Sequence, residues 1–114
     1  MAECIFCEIA AGRAEARVVY EDDLVVAFED MQPQAPVHAL VIPRGHLTDA
    51  RAVSGDGDGL LAKLFEAAHL VAQRQGVGDS GYRLVFNVGR DAGQAVDHAH
   101  LHLLGGRGLR WPPG

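Results

Sequence analysis

The chain lacks the features that mark membrane, nucleic-acid-binding and exported proteins. No stretch approaches the roughly 20 consecutive apolar residues that a membrane-spanning helix needs. Its 10 lysines and arginines are outnumbered by 15 acidic residues and form no cluster, which argues against binding to nucleic-acid backbone or to an acidic membrane. Acidic residues stand near the N-terminus, where a signal peptide has a basic start. We therefore expect a cytoplasmic protein with no nucleic-acid or membrane partner.

Cysteine is also scarce. Cys4 and Cys7 are the only two, and a disulfide between them would close too small a loop to stabilise the fold much. The composition, 48% hydrophobic and 22% charged, is typical of a globular domain. The length of 114 residues suits one domain and is too short for two. We expect a single domain spanning residues 1–114.

Short apolar segments and one long amphipathic segment set the expected secondary structure. Apolar residues between 60 and 75 recur at helical spacing, and a short helical turn is predicted at 4–11, before Gly12. Segments rich in β-branched and aromatic residues predict strands, at 17–20, 24–28, 39–42, 82–88 and 98–104. This pattern favours an α+β domain with an antiparallel sheet of five strands.

The connections between these elements are rich in proline, glycine and aspartate. Two prolines make residues 30–36 a rigid loop. Residues 54–59 are expected to form a flexible connection, in which Asp56 or Asp58 caps the long helix. Residues 89–94 form a glycine-bearing loop before the last strand.

The last predicted strand carries three histidines at alternate positions. Side chains alternate between the two faces of a strand, so His98, His100 and His102 share one face. The apolar residues between them share the other face and can pack in the core. A lone histidine such as His69 is more simply a structural residue, and a metal-binding histidine tract usually lacks an apolar counter-face. The alternation therefore indicates a functional site.

Imidazole suits reactions at phosphorus near neutral pH. Its ordinary pKa of about 6.5 allows it to act as a neutral nucleophile or as a cation. A central histidine can attack phosphorus, while a neighbour that stays protonated donates to the non-bridging oxygens. Such chemistry requires no magnesium.

The segment His98-Ala99-His100-Leu101-His102-Leu103-Leu104 resembles the His-x-His-x-His-x-x signature of the histidine-triad superfamily. Residues 28–38 resemble the nucleoside-binding stretch of its Hint branch, and residues 105–107 and 111–114 resemble that branch's tail. The resemblance covers the chain from about Cys4 to its end. It implies a HIT-like fold and a homodimer, in which two sheets join into one and the tails, including Trp111, border the partner's site.

The resemblance also implies roles for individual residues. His100 would be the nucleophile, His102 would help to hold the α-phosphate, and His38 would support the site. Asp30 would receive the ribose hydroxyls and Asn87 would lie beside the phosphate. The apolar slot for the base would comprise Phe6, Ile9, Phe28, Met31 and Leu40. Backbone N–H groups near the scissile bond would come from a phosphate loop formed by Gly93, Gln94, Ala95 and Val96.

Several of these residues have simpler interpretations when taken singly. Asp30 is also a common turn residue before a proline-containing loop, the slot residues are ordinary core residues by composition, and Gly93 is a common turn glycine. Their occurrence together beside the triad favours a nucleotide pocket.

Two residues depart from the family's pattern. The phosphoramidases of the family usually have a hydroxyl residue where this chain has Ala95, and alanine cannot relay a proton. Asp97 stands where an aromatic or apolar residue is common, and a carboxylate there would repel a phosphate unless it pointed away. Because Ala95 lacks the hydroxyl, we expect slower release of a poor amine leaving group.

Cys4-x-x-Cys7 has the spacing of half a structural zinc site. By the resemblance, His46 and His98 would complete a Cys-Cys-His-His set. A redox pair of the thioredoxin kind is the alternative, but the strand before the cysteines and the helix after them that such proteins have are not predicted here.

These observations predict a hydrolase that cleaves purine nucleoside 5′-phosphoramidates, or related nucleotidyl compounds, to nucleoside monophosphates through a nucleotidyl-histidine. Two alternatives stay open. One is a dinucleoside polyphosphate hydrolase of the Fhit branch, and the other is a nucleotide-binding regulator with little turnover.

Overall fold

The computed structural model of the protein describes residues 4–55 and 59–114. The helices are α1 (Ile5–Ala10), α2 (Ala50–Ser54) and α3 (Leu60–Arg74), with a 3₁₀ turn at Arg90–Ala92. The strands are β1 (Val18–Glu21), β2 (Val25–Glu29), β3 (Val37–Pro43), β4 (Tyr82–Phe86) and β5 (Leu101–Gly105).

The five strands form one sheet in the order β1-β2-β3-β5-β4. Every neighbouring pair is antiparallel, which confirms the predicted α+β class and antiparallel sheet. The last strand of the chain thus lies inside the sheet, between β3 and β4. Its histidine His102 is flanked in register by Leu40 on β3 and Val85 on β4.

The two faces of the sheet carry different layers. Helix α3 covers one face, where alternate residues of β2, β3 and β5 are buried against it. This main core includes Val25, Ala27, Ala39, Val41, Leu101 and Leu103 from the sheet and Leu64, Ala67, Ala68, Val71 and Ala72 from the helix. On the other face, α1 contributes Phe6 to a second apolar cluster with Val26, Phe28, Leu40 and Ile42. The histidines lie on the face that carries the second cluster.

Strand β5 begins three residues later than predicted. His98 and His100 precede it, because the N–H of Ala99 donates to the carbonyl of Leu47 (2.6 Å) rather than to a neighbouring strand. The alternation of faces nevertheless continues through this segment, since Ala99, Leu101 and Leu103 are all buried in the main core.

Helix α2 was not predicted from the sequence. Asp49 caps its N-terminus by accepting hydrogen bonds from the N–H groups of Arg51 and Ala52, and Val53 anchors it in the core. Ser54, assigned to a flexible connection, is its last residue. The predicted caps Asp56 and Asp58 lie outside the described residues. Within 4–55 and 59–114, no helix combines the length and apolar character needed to cross a bilayer.

Candidate active site

His100 is held in one orientation by the backbone of its own segment. Its Nδ1 lies 2.8 Å from the carbonyl oxygen of His98, and because a carbonyl only accepts, Nδ1 carries the proton. His100 as a whole is 6% exposed. Among the described residues no buried side-chain nitrogen or oxygen lacks a hydrogen-bond partner, so Nε2 of His100, which has none there, reaches solvent. That nitrogen has a free lone pair and can act as a nucleophile.

His38 and His102 form a hydrogen-bonded pair with defined proton positions. The N–H of Gln34 donates to Nδ1 of His38 (3.0 Å), so the proton of neutral His38 is on Nε2. That Nε2 lies 3.0 Å from Nδ1 of His102 and 3.4 Å from a carboxylate oxygen of Asp30. His102 therefore accepts at Nδ1 and carries its own proton on Nε2.

Burial keeps both of these histidines neutral at pH 7. It lowers the pKa of His102 to about 4, with His100 and His38 adding to the effect and Asp30 opposing it. Burial also lowers the pKa of His38, against the attraction of Asp30. The expectation that a neighbour of the nucleophile stays protonated is wrong for His102, because desolvation disfavours the cation. His102 is therefore a neutral imidazole whose Nε2–H can donate.

Most residues assigned to the apolar slot lie together beside the nucleophile. The ring centroid of Phe6 lies 5.1 Å from that of His100 and 5.5 Å from that of Phe28, and both ring pairs are edge to face. The group comprises Phe6, Phe28 and Leu40, with Ile9 and Val96 packed against them. Met31 is not part of it, since its side chain is 91% exposed in the loop after β2.

The predicted phosphate loop uses two of its four N–H groups internally. Gly93 donates to the carbonyl of Arg90, and Gln94 donates to the carbonyl of Gly89. Within the described residues the N–H groups of Ala95 and Val96 have no such partner. Only these two are therefore available to an oxyanion in this conformation.

Gln94 braces this loop through its side chain. Its amide nitrogen donates to the carbonyls of Thr48 and Val96, and its amide oxygen accepts from the N–H of Gly89. Asn87, assigned to the phosphate, follows β4 and is half-buried, whereas Asp97 is exposed. No local signal marks Gln94 as a brace, because its partners are backbone atoms distant in the sequence.

The four predicted metal ligands lie in one cluster. Cys4, Cys7, His46 and His98 place one ligand atom each within 4.8 Å of the others. Nδ1 of His98 is 3.3 Å from the sulfur of Cys4 and 3.5 Å from that of Cys7. Nδ1 of His46 is also 3.3 Å from the sulfur of Cys7. Nε2 of His98 donates to the carbonyl of Pro43 (2.8 Å), which leaves its Nδ1 lone pair directed at the sulfurs.

A second group of possible ligands, Asp30, His38 and His102, is equally compact but has different chemistry. A metal on Nε2 of His38 would displace the proton that this nitrogen carries while Nδ1 accepts from Gln34. Since a neutral imidazole has only one free lone pair, this group suits proton positioning and not metal binding.

The chain is similar to known proteins along nearly its whole length. A family model described as HIT domain matches residues 11–109, and the chain belongs to the HIT domain family. It is 49% identical to an uncharacterized HIT-like protein of Synechocystis, over 98% of this chain and 97% of that protein. It is 42% identical to the purine nucleoside phosphoramidase of Escherichia coli K12, over 94% of this chain and 90% of that one.

The fold of the chain is also similar to that of a solved structure. The HIT family hydrolase from Legionella pneumophila Philadelphia 1 superposes with a TM-score of 0.93 at 50% sequence identity, covering 98% of this chain and 100% of that chain. This likeness confirms the HIT-like fold inferred from the histidine segment.

The lowered pKa of His102 predicts a stability loss in acid. The unfolded imidazole has an ordinary pKa near 6.5 and the folded one a pKa of about 4. As the pH falls between these values, the unfolded chain binds a proton that the folded chain does not. The free energy of unfolding should therefore fall on the order of 2 kcal/mol, since one pKa unit corresponds to about 1.4 kcal/mol.

Urea unfolding at pH 7.5 and pH 4.5 measures this loss. His102→Asn serves as the matched control, because it keeps a polar side chain that does not titrate in this range. The variant should lose less stability than the native protein between the two pH values. Equal losses in both proteins would show that His102 titrates normally.

Proposed function

We propose that the protein is a hydrolase that cleaves purine nucleoside 5′-phosphoramidates, or related nucleotidyl compounds, to nucleoside monophosphates. The observation that carries this proposal is the solvent-facing Nε2 lone pair of His100, next to a donor histidine and an apolar slot. The 42% identity to a purine nucleoside phosphoramidase supports the substrate class.

The first step is attack by Nε2 of His100 on the α-phosphorus. The new N–P bond forms as the bond to the leaving amine breaks, and the amine departs with a proton. The His100 ring gains positive charge, which the carbonyl of His98 stabilises through the hydrogen bond from Nδ1. The Nε2–H of His102 donates to a non-bridging oxygen, where negative charge accumulates.

The second step is hydrolysis of the nucleotidyl-histidine. Water attacks phosphorus and gives up a proton to solvent, the N–P bond breaks, and His100 leaves as the neutral imidazole, still protonated on Nδ1, with which the cycle began. In this mechanism protein N–H donors stabilise the negative charge on the phosphate oxygens, and no step is assigned to magnesium.

Binding of the nucleoside is assigned to the slot and to Asp30. The apolar faces of Phe6 and Phe28 suit a purine ring. One carboxylate oxygen of Asp30 accepts from the N–H of Gln32 (2.8 Å), which fixes the side chain so that the ribose hydroxyls can donate to it. The leaving-group side has no hydroxyl at Ala95, so the amine takes its proton from solvent. We therefore expect amines of lower basicity to leave faster.

Trapping of the intermediate tests the proposed activity. The native protein mixed with adenosine phosphoramidate and quenched in alkali should carry an adenylyl mass on His100, detected by mass spectrometry. His100→Ala should form no adduct and lose on the order of 10³-fold or more in turnover. Retained binding of adenosine monophosphate shows that this variant still folds. A variant that turns over normally would refute the mechanism.

Two comparisons in the same experiment address the alternatives. Faster cleavage of a dinucleoside polyphosphate than of the phosphoramidate would indicate a polyphosphate hydrolase. Tight binding with neither adduct nor turnover would indicate a regulator.

We further propose that Cys4, Cys7, His46 and His98 hold a structural zinc ion. Zn–S bonds of about 2.3 Å and Zn–N bonds of about 2.1 Å in a tetrahedron place sulfur and nitrogen ligands about 3.6 Å apart. The S···N distances of 3.3 to 3.5 Å are close to that value. The carbonyl of Pro43 accepts from Nε2 of His98 and so orients the ring, as hydrogen bonds to metal-binding histidines do in zinc proteins. Four protein ligands leave no position for a catalytic water.

Metal analysis tests the zinc proposal. The native protein should contain about one equivalent of zinc, and Cys4→Ser combined with Cys7→Ser should remove it and lower the melting temperature, because bound metal stabilises the folded state. Adding a chelator should not lower the melting temperature of the double variant any further, whereas it should lower the melting temperature of the native protein. A native protein purified without chelator that contains no zinc and binds none would contradict the proposal.

We also propose that two copies pair into a homodimer. β4 is an edge of the sheet with all five of its residues half-buried, and Trp111 is 81% exposed on the tail. An unpaired edge strand and a bare tryptophan both suit burial against a second copy. Light scattering on the purified protein should give twice the mass of one chain. A monomer at micromolar concentration would refute this pairing.

A further inference from the structure

A chain of hydrogen bonds joins the C-terminal tail to the donor histidine. Nη2 of Arg107 donates to the carbonyl of Gln34 (2.9 Å). The N–H of the same Gln34 donates to Nδ1 of His38, and Nε2 of His38 meets Nδ1 of His102 (3.0 Å). Arg107 thus lies three contacts away from the Nε2–H that the proposed mechanism directs at the phosphate.

The C-terminal tail and the 30–36 loop pack closely against each other beside these hydrogen bonds. Gly106 has a φ of +90°, and a Cβ on it would lie 2.9 Å from Cβ of Pro36, so only glycine allows this approach. Further along, Nη2 of Arg83 donates to the carbonyl of Arg110 (3.0 Å). The tail is therefore held by β4 on one side and presents Arg107 to the loop on the other.

The start of the loop is tied to β3, because the N–H of Asp30 donates to the carbonyl of His38 (2.9 Å), whereas, apart from the chain of hydrogen bonds described above, those of the loop around Gln34 are internal. The side chain of Gln34 donates to the carbonyl of Gln32 (3.0 Å), and the N–H of Gln32 donates to Asp30. Both bonds lie within the loop and can move with it. The contact from Arg107 comes from a different element, so it fixes this part of the loop relative to the sheet.

We propose that Arg107 is a positioning residue that holds the proton of His38 on Nε2. The kinetic part of this inference rests on the proposed phosphoramidase function, whereas the proton placement does not.

The consequence follows from the two tautomers of a neutral imidazole. The carboxylate of Asp30, 3.4 Å from Nε2 of His38, also favours a proton on Nε2, so losing the Gln34 N–H shifts only a fraction of the molecules. In that fraction Nδ1 of His38 carries the proton. Nε2 of His38 then presents a lone pair to Nδ1 of His102, and His102 must place its own proton there. In those molecules His102 has no Nε2–H for the phosphate. Turnover falls in proportion, while the apolar slot is unchanged.

The tautomer of His38 can be observed directly. Long-range ¹H–¹⁵N spectra of the full chain labelled with ¹⁵N-histidine should show only the Nε2–H form of His38 in the native protein. Arg107→Met should give a mixture of forms, and Arg107→Lys should restore most of the native form. Arg110→Met, a change in the same tail at an exposed side chain, should leave the spectrum native. Arg107→Gln replaces Arg107→Met if the latter does not fold.

Kinetics with adenosine phosphoramidate supply the second readout. Arg107→Met should lower kcat about fivefold, the factor expected for losing one ordinary hydrogen bond, and change KM less than twofold. In a His38→Asn background, the same substitution should have no further effect, because the tautomer it controls is gone. A purely structural role would lower the rate in both backgrounds.

The outcomes separate the inference from the function on which it rests. A native His38 spectrum in Arg107→Met overturns the inference, as does an equal kcat loss with and without His38. A native protein that forms no adduct and cleaves no phosphoramidate overturns the proposed function. In that case the spectra still decide whether Arg107 positions the proton.

Discussion

One hydrogen bond to each imidazole determines what its other nitrogen can do, and the site depends on this constraint. The carbonyl of Pro43 holds Nε2–H of His98, which leaves Nδ1 facing the two sulfurs. The carbonyl of His98 holds Nδ1–H of His100, which leaves Nε2 with a free lone pair. His98 and His100, two positions apart, thereby carry their protons on opposite ring nitrogens. One suits metal binding and the other suits attack on phosphorus.

The fold supplies these partners through the position of the histidine segment in the sheet. β5 is flanked by β3 and β4, so His102 on β5 meets His38 on β3, and His98, just before β5, meets Pro43 at the end of β3. Ala99, Leu101 and Leu103 are buried against α3, and burying each leucine contributes about 2 kcal/mol. The same segment is therefore fixed by its apolar face and carries the proposed catalytic histidines on its polar face. Burial also lowers the pKa of His102 and His38, so the donors in the proposed mechanism are neutral.

The sequence was most informative where one residue type recurs at a fixed spacing. The alternation at 98–104 predicted which side chains share a face, and it held even though the strand begins only at Leu101. The Cys4-x-x-Cys7 spacing, together with the family resemblance, pointed to four residues that the structure places within 4.8 Å. These patterns are visible because the side chains themselves carry the chemistry.

What the sequence did not predict depends on backbone partners and on local exposure. The tautomers of His38 and His100 are set by a backbone N–H and a carbonyl, which every residue has. Gln94 braces its loop through main-chain atoms, and α2 depends on a cap by Asp49 and the burial of Val53. Met31 is apolar and lies in the family's slot segment, yet its loop position leaves it in solvent. Such features are decided by tertiary contacts.

The central claim is that the His98 carbonyl fixes His100 with its Nε2 lone pair exposed. The ¹⁵N chemical shifts of His100, observed at pH 7.5 in the native protein without substrate, test it most directly. The account predicts a protonated Nδ1 and an unprotonated Nε2 in essentially all molecules. A proton found on Nε2, with Nδ1 bare, would contradict the account.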